Sequence, residues 1–178
     1  MEEPDPEFAM ENFRNCLKRI NSRENEEFDV VLNLADGAMG YLENEEENDK
    51  IFDVISKALK KGGQHVCDLV NGSYAQAHFP VKLWEAGEHS LSLSEFDWDP
   101  DPHIMMFGNQ DFAYGEPVTK PEIAEGDPTR VYTLAELADK MEKRNMEVLE
   151  AFAGYTKAPA SSQTFQMLVH SRKKEDVE

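Results

Sequence analysis

The sequence predicts an α/β protein, and three neighbouring stretches carry that reading. Residues 28–34 (FDVVLNL) and 64–70 (QHVCDLV) are short, nearly unbroken apolar runs, which suit strands buried on both faces of a parallel sheet. The stretch between them has helical periodicity, and a strand, crossover helix and strand in succession force the two strands parallel. The first strand is expected inside the sheet. The remaining elements are placed relative to this unit.

Asp5 and Pro6 open the chain's first predicted helix, as cap and first helical residue. Phe8, Phe13, Cys16, Leu17 and Ile20 supply its apolar face up to Asn21, and residues 22–27 form an acidic linker into the first strand. After that strand, Asp36, Gly37 and Gly40 break the run. Asn44 with Glu47 three places on has capping-box spacing and starts the crossover helix. Ile51, Phe52, Val54, Ile55, Ala58 and Leu59 give this helix one apolar face, with acids in its first turn and Lys57, Lys60 and Lys61 in its last. Gly62 and Gly63 are expected to end it in a left-handed turn.

Beyond Asn71, residues 74–79 suit a short helix stopped by Pro80. Alternation in residues 90–96 (SLSLSEF) predicts a half-exposed strand. Residues 97–102 are turn material, and residues 103–114 hold a partner strand, interrupted at Gly108 and Asn109. Together they form an inserted hairpin, about 88–114. Residues 115–129, rich in Pro, Gly and acids, are expected as a surface loop. Thr133 and Glu136 make a second capping box, opening a helix that ends near Asn145. Strands are expected over 146–152 and 165–170, with a turn-rich connection between them and a charged tail, 174–178.

The 178 residues, 40% hydrophobic, suffice for one domain with a real core. Residues 1–27 would stand before it and residues 28–173 would form it. The formal charge of -18, from 18 basic and 36 acidic residues, repels phosphate backbones and anionic lipid, so neither nucleic acid nor a membrane surface is an expected partner. Cys16 and Cys67 lie far apart with no Cys-x-x-Cys, which fits a reducing, cytoplasmic setting and no zinc site. The start lacks the charge and apolar run of a secretory signal. The five histidines lack metal-ligand spacing. Asp97, Asp99 and Asp101 begin like a calcium loop, but Pro102 stands where glycine is needed, so no metal is expected.

Residues 28–34, then Gly40-Tyr41-Leu42, then residues 58–71 (ALKKGGQHVCDLVN) resemble the carboxyl-terminal half of class I S-adenosylmethionine-dependent methyltransferases. The resemblance continues through His78-Phe79-Pro80, Trp84-Glu85, the hairpin, residues 130–137 (RVYTLAEL) and the last strand. It implies a partial Rossmann-like methyltransferase sheet, later strands only, with an inserted antiparallel hairpin and flanking helices. It implies a small-molecule methyl acceptor and S-adenosylmethionine as cofactor. The family's glycine-rich loop and ribose-binding acid have no counterpart before Phe28, where only the amphipathic helix is found. The strand at 28–34 then becomes an apolar edge, which invites a second copy or a partner chain.

The resemblance places Asn33, Leu34, Ala35, Asp36 and Tyr41 against the cofactor. Asn71, at the end of the second strand, and Tyr74, His78 and Trp84 in the inserted region become candidate substrate contacts. Plainer readings stand beside these: Asn33 and Asp36 can cap turn amides, Asn71 can be a turn residue, and His78 can be packed or solvated. No catalytic residue is assigned. One alternative makes residues 34–40 the cofactor loop and Asp68 the ribose acid. Another makes the chain a non-catalytic remnant or interaction module that holds no cofactor.

Overall fold

The computed structural model describes residues 28–35, 39–41, 44–123 and 126–175. The predicted amino-terminal helix, Asp36 and the end of the tail lie outside them. Among the described residues, two four-stranded sheets and three helices follow in the order β1 (Phe28–Asn33), α1 (Glu45–Ala58), β2 (Leu59–Val70), α2 (Gly72–His78), β3 (Val81–Ala86), β4 (Ser90–Asp99), β5 (Ile104–Ala113), β6 (Thr129–Arg130), α3 (Leu134–Glu142), β7 (Met146–Ala153) and β8 (Gln166–Lys173).

The first sheet has the order β1-β2-β8-β7, with β1 parallel to β2 and the other pairs antiparallel. The predicted strand, crossover helix and strand are therefore present. Helices α1 and α3 cover one face, where Ile51, Phe52, Ile55, Leu59, Leu137, Met141, Met146, Met167 and Val169 form the larger core. The two predicted N-caps that fall among the described residues hold. The Asn44 side chain accepts from Glu47 N, and Thr133 with Glu136 forms a complete capping box, satisfying amides that have no partner within the helix.

Four expectations are corrected. Helix α1 stops at Ala58, before the glycine pair, because Leu59 is fully buried and already pairs with Phe28 in the sheet. Lys173 Nζ donates to Ser56 O and Leu59 O, closing off carbonyls at that helix end. Gly62 does take a left-handed φ of 75°, but within β2. At Gly63 a Cβ would come 2.8 Å from Lys60 O and 3.2 Å from Phe28 O, so the irregular start of the strand requires a residue without one.

Second, β5 runs unbroken through Gly108 and Asn109, which pair with Glu95 and Ser94. The long ladder with β4 outweighs the local turn tendency of those residues. Residues 97–99 likewise belong to β4. Third, residues 81–86 form a strand, β3, and Thr129–Arg130 form β6, so the hairpin is the centre of a separate sheet of order β3-β4-β5-β6. Fourth, β1 is not covered on both faces; among the described residues it lies at the edge of its sheet, the position the family resemblance implied for it. Its alternate residues Phe28, Val30, Leu32 and then Leu34 are 42%, 53%, 62% and 41% exposed, while Val31 packs against the larger core. The apolar run is thus covered on one face only.

The second sheet packs through a smaller core of Ala75, Phe79, Met105 and Val131, joined by Val70, Tyr74, Val81, Phe96 and Trp98. Val70 is the last residue of β2, so this aromatic cluster sits at the carboxyl end of the first sheet.

Candidate functional site

Strands β1 and β2 run the same way but end at different heights. Asn33, the last residue of β1, lies beside Cys67, and β2 continues to Val70 before Asn71 caps α2. At ~3.3 Å per residue, the longer strand rises on the order of 10 Å above the end of the shorter one. The step has Asn33, Leu34 and Ala35 as its floor, β2 as its back wall and the start of α2 above it.

The floor is held in place from below. Ala35 adopts a left-handed φ of 59°, and Met39 and Gly40 are both buried. Gly40 N donates to Asn48 Oδ1 at 3.0 Å, and Gly40 O accepts from Arg130 N at 2.9 Å. Arg130 in turn pairs with Glu136 and Glu45, and Lys140 bridges Glu45 and Asp49. Burial raises the Asp49 and Glu136 carboxyls, but Lys140 and Arg144 around the first, and the Thr133 amide and Arg130 around the second, leave both below their ordinary values. The Tyr132 hydroxyl, buried and donating to Glu45 Oε2, is held far above its ordinary value, first by that burial.

The back wall carries a buried carboxylate. Asp68 lies on the sheet face opposite the helices and is only 2% exposed. Its Oδ2 accepts from Tyr155 OH at 2.6 Å and from Gln166 Nε2 at 3.1 Å, while Oδ1 has no hydrogen-bond partner.

The roof is aromatic. Tyr74 stacks on His78 with centroids 4.1 Å apart and meets Phe79 and Phe165 edge-on. Phe96 stacks on Phe79 and contacts Phe107 and Phe165. The His78 Nδ1–H donates to Tyr74 O at 2.9 Å, which leaves Nε2 as an acceptor in that tautomer.

The candidates read from the sequence are thus partly brought together. Asn33, Leu34 and Ala35 share the floor, and exposed Tyr41 follows its anchored end. Tyr74 and His78 share the roof. Asn71 is buried between them, with its side chain accepting from Ser73 N and donating to Ser161 O and Thr164 O, so its amide is engaged in holding the roof. Trp84 stands apart: it is 72% exposed and alternates to the face of β3 opposite Val81, the residue that joins the aromatic cluster. Sequence reading missed Phe96, Phe107 and Phe165 as roof residues, and missed the joining of Tyr155 and Gln166 to Asp68. An acid inside an otherwise apolar run was the available signal, because a buried carboxylate requires donors.

Among solved structures, the chain is similar to an S-adenosylmethionine-dependent methyltransferase from Clostridium acetobutylicum, with TM-score 0.66 and 15% identity over 96% of this chain and 73% of that one. It is similar to the CcbJ methyltransferase from Streptomyces caelestis, with TM-score 0.67 and 15% identity over 83% and 61% of the two chains. CalS10, an amino pentose methyltransferase from Micromonospora echinaspora solved with S-adenosylmethionine bound, matches with TM-score 0.53 and 12% identity over 84% and 59%. The chain has a class I methyltransferase fold. It spans about three fifths of the length of CcbJ and CalS10. No family model and no curated protein matches it.

The described residues fit S-adenosylmethionine in part. Leu32 and Leu34 offer an apolar wall beside the turn at Ala35. Asp68, the one acid read from the sequence as a ribose partner, is closed over by Tyr155 and Gln166. The floor, wall and roof meet at the carboxyl ends of β1 and β2. Among the described residues no helix is long and apolar enough to cross a membrane.

Proposed function

We propose that this chain works in S-adenosylmethionine-dependent methylation of a small molecule, supplying one side of the site while a second chain supplies the other. The observation that carries the reading is the step between β1 and β2 under an aromatic roof, in a chain with this fold. Ligands of open α/β sheets bind outside the carboxyl ends of the strands, where this step lies. The bound cofactor would supply an electrophilic methyl group. Asn33, Leu34, Ala35, Asp36 and Tyr41 would border it, and Tyr74 and His78 would border the acceptor, positioning the two reactants rather than providing a reactive group.

The second chain, another copy or a different polypeptide, would pair along β1, which has no neighbouring strand on its outer side among the described residues and carries exposed apolar residues. Residues 28–173 would act as one domain, and buried, unpaired Cys67 accords with a reducing cytoplasmic setting.

A second reading has its own support. The closed-over Asp68 and the fully engaged Asn71 amide suit a fold kept as an interaction module without cofactor. Ultraviolet labelling with radioactive S-adenosylmethionine separates the two. The methylation reading expects label in the peptide holding Asn33, Leu34 and Tyr41, competed away by unlabelled cofactor. Absence of competable label would favour the interaction module.

A further inference from the structure

Strand β3 forms an edge of the second sheet without the features that blunt other edges of this fold. Strand β6, at the far side of the same sheet, is only two residues long, and β7, an outer strand of the first sheet, carries a register shift between Val148 and Glu150. Short strands and bulges of this kind discourage pairing with other chains. Strand β3 has neither device. It is six residues long, pairs with β4 residue for residue from Val81↔Phe96 to Ala86↔Leu91, and has no strand on its outer side among the described residues. The turn after it fixes where its free backbone groups point. Gly87 N donates to Ser90 O at 2.9 Å, so the alternate residues Glu85, Leu83 and Val81 also direct their backbone groups at β4, and Lys82, Trp84 and Ala86 direct theirs outward.

We propose that β3 pairs antiparallel with β3 of a second copy, with Trp84 on the two-fold axis, so that the second sheets of the two copies join into one. Three observations select a second copy as the occupant. The first is closure. In this register Lys82, Trp84 and Ala86 lie opposite the partner's Ala86, Trp84 and Lys82, so every outward backbone group of the strand meets a complement. Moving the axis to Leu83 would set Ala86 opposite the partner's Pro80, which has no N–H to donate.

The second observation is charge. Residues 81–86 hold one Lys and one Glu, so the seam is neutral. Lys82 meets the partner's Ala86 on one face and Glu85 meets the partner's Leu83 on the other, so no like charges stand directly opposed. The chain's overall charge of -18 acts from farther off and is screened beyond ~8 Å at physiological ionic strength; the dimer should therefore weaken as salt is lowered. The third observation is apolar. Trp84 is 72% exposed and lies beside Leu93 of β4, and on the axis the two Trp84 side chains would cover each other. The proposal concerns the second sheet alone and leaves the step between β1 and β2 open.

Sedimentation of the full chain over a range of concentrations tests the pairing. A monomer–dimer equilibrium is expected, and Trp84→Lys, which sets two cations together on the axis at an exposed position, should weaken it roughly tenfold or more. Cross-linking reads the register. In a Cys16→Ser background the remaining cysteine, Cys67, is fully buried. Residues directly opposed in such a pair have Cα atoms about 5.5 Å apart, within disulfide reach, so Trp84→Cys should join two chains under mild oxidation. Lys82→Cys is the control. It lies on the same edge and face, but its two copies stand about 14 Å apart in this register, so its link should form roughly tenfold more slowly. A chain that stays monomeric throughout, a dimer equally tight with Trp84→Lys, or equal linking at positions 82 and 84 would overturn the proposal.

Discussion

Gly40 fixes the floor of the cleft through a contact that allows no side chain. Its φ is 89°, and a Cβ would stand 1.8 Å from Arg130 O. Gly40→Ala is expected to lower stability by about 3 kcal/mol or more, measured by urea unfolding. The glycine was legible as a break in the sequence; its contact was not, because Arg130 lies far along the chain. His65 illustrates a second kind of residue control. It is buried in the core with Nδ1 3.0 Å from Ser171 Oγ, and burial, then His170, holds its pKa down to about 4. A histidine that protonates more readily in the unfolded chain contributes stability above its unfolded pKa near 6.5, lost as pH falls toward 4. That loss amounts to about 3 kcal/mol. His65→Gln should therefore flatten the stability profile between pH 6.5 and 4. Asp49 and Glu136, with lowered pKa values, also contribute stability that acid removes, but only as pH falls below their ordinary values of 3.8 and 4.5, so the fall between pH 6.5 and 5 belongs to His65 and not to them.

At the scale of elements, the signals that survived folding were those that settle local hydrogen bonds. Asn44 and Thr133 cap α1 and α3 as their spacing predicts, and Thr133→Ala should cost about 1 kcal/mol, read from thermal unfolding. The glycine pair at 62 and 63 misled because glycine usually ends helices, whereas burial of Leu59 against β1 decides the boundary here. Strand β3 escaped notice for a similar reason. Residues 81–86 alternate poorly, and their extended form comes from pairing with β4 from Val81↔Phe96 to Ala86↔Leu91. The aromatic roof joins α2, the second sheet and the β7–β8 connection, a convergence invisible to any local pattern. Phe79→Ala, which empties its centre, should cost about 3 kcal/mol or more and loosen Tyr74, detectable as increased quenching of tyrosine fluorescence.

The whole molecule combines a parallel strand pair, an antiparallel pair added to it and a second sheet mounted over the carboxyl ends. The fold class and the class I methyltransferase resemblance were readable because the apolar runs, caps and double glycine lie in order along the chain. The exposed face of β1 and the enclosure of Asp68 became visible only in three dimensions. If this chain forms one side of a cofactor site completed by another chain, isothermal titration of S-adenosylmethionine, with light scattering in the same buffer, should give saturable binding only where chains associate, or when a completing partner is added. One-to-one binding by a chain that stays monomeric would contradict the claim and place the whole site within these residues.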